Sequence, residues 1–157
     1  MNQKEDFMRE AIRLSVEKME EGCGGPFGCV IVCNGEIVAR GYNNVLGSSD
    51  PTAHAEVEAI RKACIALGTH QLTDCELYTS CEPCPMCLGA IYWARPKKVY
   101  YANSREDAER IGFDDRFIYQ ELDKPKNERA IPMEQLLTEE AKEAFDRWVN
   151  KVDKTGY

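Results

Sequence analysis

His54, Glu56 and the pair Cys84 and Cys87 are the residues of this sequence whose types and spacing can do chemistry. An imidazole and two thiolates are ligands that zinc prefers. Two cysteines three positions apart at a helix N-terminus put both sulfurs on one face, where the helix dipole favours thiolate over thiol. Three protein ligands leave the fourth corner of a tetrahedron to water, which is the arrangement of a catalytic rather than a structural zinc. Glu56, two residues beyond the histidine, is placed to hydrogen-bond such a water without coordinating the metal. Zinc brings the pKa of water from 15.7 to about 7, so a base beside it is all that attack near neutral pH requires. An acid that takes protons from the attacking water and returns them to a ring nitrogen and a leaving amine gives hydrolytic deamination in outline.

Other readings of the same residues are possible. A lone CxxC in an intracellular protein also serves redox or structural purposes, and Cys81, Cys84 and Cys87 echo an iron–sulfur run that lacks its fourth cysteine. Cys23, Cys29, Cys33, Cys64 and Cys75 fall in a glycine-rich loop, in strands or on an apolar helix face, where cysteine behaves as a small buried hydrophobe. His70 follows the end of a helix without a motif partner and reads as a turn residue. Met86 reads as packing, and residues 95–98 read as a solvated helix-to-strand junction.

The scale of the chain suits one enzyme-sized unit. It has 157 residues, 43% hydrophobic and 30% charged, as in soluble globular proteins. Twenty Lys and Arg against 27 Asp and Glu give a net charge of −7, the reverse of the balance expected for a nucleic-acid or membrane-surface binder. No long apolar run appears, and the acids among the first six residues are unlike a signal peptide. A cytoplasmic location is expected, with the eight cysteines reduced and two of them given to metal.

The elements that must position these residues follow from periodicity. Apolar residues at helical spacing predict a helix over residues 6–20, broken by the glycines before Pro26. Residues 28–33 and 36–40 read as strands around the hairpin dipeptide Asn34-Gly35. A turn-rich stretch ending in Asp50-Pro51-Thr52 precedes a second helix closed by Gly68, with His54 and Glu56 in its first turn. Residues 75–79 read as a strand, 84–94 as a third helix and 98–102 as a further strand. Helical pieces at 105–111 and 117–122, a charged connector at 123–128, a strand at 131–137 and a last helix from 138 complete the order. No linker or repeat divides residues 1–157, so a single layered α/β domain with helices on both faces of the sheet is expected.

His54-Ala55-Glu56 followed by Pro83-Cys84-Pro85-Met86-Cys87 resembles the signature of the cytidine deaminase superfamily of zinc nucleobase deaminases, H-x-E then P-C-x-x-C. Gly25-Pro26-Phe27-Gly28, Asn43-Asn44, Asp50-Pro51-Thr52-Ala53, Thr79-Ser80-Cys81-Glu82 and Gly112-Phe113-Asp114-Asp115 extend that likeness over essentially the whole chain, toward the short bacterial guanine deaminases. The resemblance implies a three-layer α/β/α cytidine deaminase-like fold with a central five-stranded mixed sheet. It also implies one zinc per subunit held by His54, Cys84 and Cys87, Glu56 as proton shuttle, and hydrolysis of guanine to xanthine and ammonia.

Substrate contacts come from the same resemblance. Asn43 would hydrogen-bond the purine, Phe27 would pack on its face, the Ala55 N–H would help position the water, and Asp115, or its neighbour Asp114, would accept from purine N–H groups. By residue type alone, Asn43 reads as a turn residue and Asp114-Asp115 as a helix cap. The resemblance further implies a homodimer in which residues 138–157 form a helix and tail docked on the partner subunit, with Tyr157 closing the partner's site. The alternatives are a tRNA adenosine deaminase, a deaminase of another amino-heterocycle, or a non-catalytic zinc or iron–sulfur module. A polyanionic substrate sits poorly with the net charge of −7.

Overall fold

The computed structural model describes residues 2–157, which fall into two compact units, one running to Asp115 and the other Arg116–Tyr157. The first unit begins with α1 (Gln3–Glu20), which starts three residues earlier than its apolar spacing implied because Asn2 caps it, accepting from the Lys4 N–H. β1 (Gly28–Cys33) and β2 (Glu36–Tyr42) then pair antiparallel. Between them Asn34 and Gly35 take φ of 53° and 80°, the left-handed pair that a two-residue hairpin turn demands. A single-turn helix α2 (Val45–Ser48) lies in the stretch expected to be turn-rich. α3 (Ala55–Leu67) follows and stops at Gly68, whose φ of 63° ends the helix at no steric cost. β3 (Cys75–Cys81), α4 (Pro85–Ala94), β4 (Lys98–Asn103) and the short α5 (Arg105–Arg110) complete the unit.

The strand order is β2-β1-β3-β4, with β1 antiparallel to both neighbours and β3 parallel to β4. The parallel pair needs a crossover, and α4 provides it. All six residues of β1 are buried, as expected for a central strand covered on both faces. Because side chains alternate, Cys29, Ile31 and Leu77 face α3 and α4 through Ala55, Ala59, Ala63 and Ile91. Val30, Val32 and Tyr78 face the other way, onto Leu14 of α1 with Phe7 and Met8 beside it. The result is the three-layer α/β/α arrangement of the cytidine deaminase-like fold.

One feature of that expectation is corrected: among the described residues the sheet has four strands rather than five. Residues 131–137, read as the fifth, form no strand. Pro132 has no N–H for a ladder, Glu134 interrupts the apolar run, and Leu137 takes a left-handed φ of 54°. A second correction concerns the cysteines. Cys33 and Cys75, directly opposed in the β1–β3 register with Cα atoms 4.3 Å apart, are joined as a disulfide instead of standing as reduced thiols.

Close backbone approach sets where α3 begins. A Cβ at Gly41 of β2 would lie 2.2 Å from the Ala55 carbonyl oxygen, so only glycine lets the start of α3 rest directly on the sheet. That contact fixes the two residues on either side of it in function, His54 and Glu56.

In the second unit, α6 (Arg116–Asp123), a 3₁₀ turn at Lys126–Glu128 and α7 (Thr138–Asn150) are joined by extended chain. The Arg129 guanidinium donates to the carbonyls of Glu121 and Leu122, tying the chain after the 3₁₀ turn back to α6. α7 exposes Phe145, Trp148 and Val149, spaced three and four apart on one face. Among the described residues, no helix is long and apolar enough to cross a membrane.

Candidate active site

Two helix starts and one strand build the site. His54 is the residue before α3, in extended backbone, and Glu56 is the second residue of its first turn. Cys84 holds the same place before α4, where its Sγ accepts from the Cys87 N–H at 3.5 Å. Pro85 occupies the first helical position, where a missing N–H costs nothing and the fixed φ suits the helix. The sequence thus folds its ligands onto two helix N-termini whose dipoles favour negative sulfur.

The His54 Nδ1 lies 3.5 Å from the Sγ of Cys84 and 3.5 Å from that of Cys87. A tetrahedral zinc with bonds of about 2.0 Å to nitrogen and 2.3 Å to sulfur needs a nitrogen–sulfur spacing of about 3.5 Å, so these donors fit the ion. All three ligand atoms lie within 4.8 Å of one another. The Cys87 thiol's hydrogen bond, aided by His54, draws Cys84 down to about 4 against the effect of burial. Cys87 is raised in turn, by that hydrogen bond and by its own burial, so the pair holds one negative charge and one proton that a cation would displace. The hydrogen bond to Cys84 lifts the His54 imidazole above its usual value.

Glu56 is buried, 6% exposed, and its Oε1 accepts from the Thr79 hydroxyl at 2.6 Å. A cavity of about 430 Å³ opens over it, and His54, Glu56 and Cys84 line one side. Its volume suits a small heterocycle rather than a folded polymer. Phe27 and Phe113 form an aromatic wall, their rings edge to face with centroids 5.0 Å apart. Gly25 has no room for a side chain, since a Cβ there would lie 2.8 Å from Phe113 and 2.9 Å from Phe27.

Of the residues singled out in the sequence, Phe27, Asn43 and Asp115 line this cavity. Asn43 is buried, and its Oδ1 accepts from the Val45 N–H at 3.2 Å, which orients the amide. Burial raises the Asp115 carboxyl above the usual range. Asp114 is exposed and is not part of the lining, and Ala55 is fully buried at the start of α3. Tyr157 ends the second unit. Cys81 borders the cavity but stands outside the ligand cluster. Its Sγ is 3.7 Å from the Ser104 carbonyl oxygen, and burial pushes its thiol up to about 12.

Phe113 and Glu82 on the cavity lining, and Thr79 behind Glu56, hold roles that sequence reasoning did not give them. Phe113 sat inside a recognised tetrapeptide without a role, and only its edge-to-face meeting with Phe27 gives it one. Glu82 accepts from the Arg105 N–H at 2.9 Å and so fastens the start of α5 to the end of β3 along the cavity rim. Thr79 reads as a strand residue in the sequence, and its pairing with Glu56, 23 positions away, leaves no local trace.

A buried glutamate beside a His/Cys/Cys cluster on an α/β/α sheet defines a zinc-binding deaminase. Residues 1–103 match the cytidine and deoxycytidylate deaminase zinc-binding region, and the chain belongs to that family. It is 59% identical over 153 residues to the guanine deaminase of Bacillus subtilis (strain 168), covering 98% of each chain. The crystal structure of guanine deaminase from Bacillus subtilis superposes with a TM-score of 0.96 at 58% identity, covering 100% of this chain and 99% of that one. The tRNA-specific adenosine deaminase of Aquifex aeolicus (strain VF5) is 37% identical over 149 residues, 95% of each chain.

Proposed function

We propose that this protein hydrolyses guanine to xanthine and ammonia. The observation that carries the reading is Glu56, a buried carboxylate set beside the His54, Cys84 and Cys87 donors at the edge of a heterocycle-sized cavity. The near full-length similarity to a guanine deaminase supports guanine among the possible amino-heterocycles.

His54, Cys84 and Cys87 would hold one zinc ion per subunit. When bound, the ion supplies a water that ionises near neutral pH. Glu56 would take one proton from the water as its oxygen adds at C2 of the base and give it to a ring nitrogen, then take the second from the new C2 hydroxyl and pass it to the amine as the carbon–nitrogen bond breaks. The Ala55 N–H helps orient the water. Phe27 packs on the purine face, Asn43 hydrogen-bonds its edge, and Asp115 accepts from purine N–H groups, with the exposed Asp114 the less favoured of the two. These assignments rest on the family resemblance and on the cavity positions of Phe27, Asn43 and Asp115.

The working molecule is a cytoplasmic homodimer in this reading. The exposed stripe of Phe145, Trp148 and Val149 on α7 supports docking of residues 138–157 on a partner subunit, with Tyr157 reaching that subunit's site. The test is ammonia release from guanine, cytosine, adenine and their nucleosides. Guanine should turn over, and Glu56→Gln should cut kcat by about 10²- to 10⁴-fold with zinc retained. Turnover of another heterocycle but not guanine would remove the substrate assignment, and full activity in Glu56→Gln would remove the proton shuttle.

A further inference from the structure

We infer that Thr79 is a positioning residue that fixes which oxygen of Glu56 moves protons. The inference rests on the deaminase reading for its kinetic consequence, and on geometry alone for the placement of the carboxylate. Thr79 is fully buried in β3, and its hydroxyl lies 2.6 Å from the Glu56 Oε1 and 3.0 Å from the Cys81 carbonyl oxygen. A hydroxyl has one hydrogen to give. The contact with Oε1 is the shorter of the two, so the hydrogen goes to Oε1. The Cys81 carbonyl, 3.0 Å away, is the competing acceptor that the hydroxyl gives up when its hydrogen goes to Oε1.

With Oε1 tied to the sheet, Oε2 is the oxygen left to work. A glutamate has three side-chain torsions, and α3 holds only its backbone, so a carboxylate at the second position of a helix is not oriented by the helix itself. The opposing strand does that here. Thr79 is paired with Cys29 across β1 and lies beside Tyr101 of β4, so its own backbone is held from both sides. Its side chain is therefore a rigid peg, and the β-branched side chain has few rotamers to leave it. Preorganisation of this kind matters because a displacement of about 1 Å in a reacting group can cost about 10²-fold in rate.

Thr79→Val keeps the shape and removes the hydrogen bond, and Thr79→Ser keeps the hydroxyl. Crystal structures of zinc-loaded wild type and both variants, with metal content and steady-state kinetics on guanine, make the test. In Thr79→Val the Glu56 carboxylate should leave its wild-type orientation or spread over several. The kcat should fall about 10- to 100-fold, with KM within about threefold and zinc content unchanged. Thr79→Ser should restore the orientation and bring kcat back to within about threefold of wild type. An unmoved Glu56 in Thr79→Val overturns the inference, as does an unchanged kcat in that variant when wild type is active, or a serine variant as impaired as the valine one. If wild type is silent on guanine while Glu56 is displaced in Thr79→Val and restored in Thr79→Ser, the substrate assignment falls and the positioning role stands.

Discussion

At the scale of residues, ligand preference is a property of side-chain type, and His54, Cys84 and Cys87 bring together an imidazole and two sulfurs that could hold a metal ion. The Cys84 and Cys87 spacing places two sulfurs together wherever a helix starts. What could not be read was the geometry that joins distant residues. His54 is 30 positions from Cys84, yet its Nδ1 sits 3.5 Å from that sulfur because the N-termini of α3 and α4 come together. Thr79 and Phe113 matter for the same reason, through neighbours distant in sequence. The cluster should act as a unit. Cys84→Ala leaves one thiolate and one imidazole, a donor set short of the three that hold zinc in catalytic sites. Metal content after dialysis should fall well below one equivalent. The melting temperature should then lose its sensitivity to a chelator, because a metal that binds only the folded state stabilises it. Cys64→Ala in the last turn of α3, outside the ligand cluster, should keep full metal content and serves as the control.

The elements show why some boundaries were clear and others not. Asn34-Gly35 announced a hairpin, and the left-handed pair there agrees because few other residues tolerate it. The β1–β3 register was invisible, and with it the Cys33–Cys75 disulfide, since pairing of strands 42 positions apart depends on the whole sheet. Residues 131–137 have the apolar content of a strand, and Pro132 breaks the ladder that would make them one. Charge also joins elements. Glu10 of α1 accepts from Arg13 at 2.7 Å and from Arg40 of β2 at 2.7 Å, which ties the first helix to the edge strand. These partners, Arg13 first, hold its carboxyl at about 2, below the usual 4.5. A depressed carboxylate stabilises the fold fully above the unfolded-state value, and the contribution is lost as pH falls through the folded one. Both arginines are about half exposed, so solvent screening limits the contribution to about 1 kcal/mol. Denaturant unfolding of Glu10→Gln should therefore show a loss of about that size at pH 7, shrinking toward zero as pH approaches 2. A constant loss across that range would remove the charge from the explanation.

At the scale of the whole molecule, the three-layer order was readable from the alternation of helix and strand patterns. The role of the last 20 residues rests on resemblance and on the exposed apolar stripe of α7. Phe145, Trp148 and Val149 are 78%, 42% and 67% exposed, more apolar surface than one helix face ordinarily leaves to water. If that face docks on a second copy and carries Tyr157 into the partner's site, each site draws on two chains. Two defective copies should then repair each other. A chain with Glu56→Gln has its own tail but no proton shuttle, and a chain lacking Tyr157 has the shuttle but no closing aromatic. In a mixed dimer with exchanged tails, the site with Glu56 receives Tyr157 from the other chain and is complete. Mixing the two after mild denaturation and refolding should restore guanine turnover toward about half the wild-type rate per mixed dimer, since only one of its two sites is whole. If tails stay with their own subunit, every site in the mixture lacks one group. Activity would then stay at the sum of the two parents, and Tyr157 would have no part in the neighbouring site.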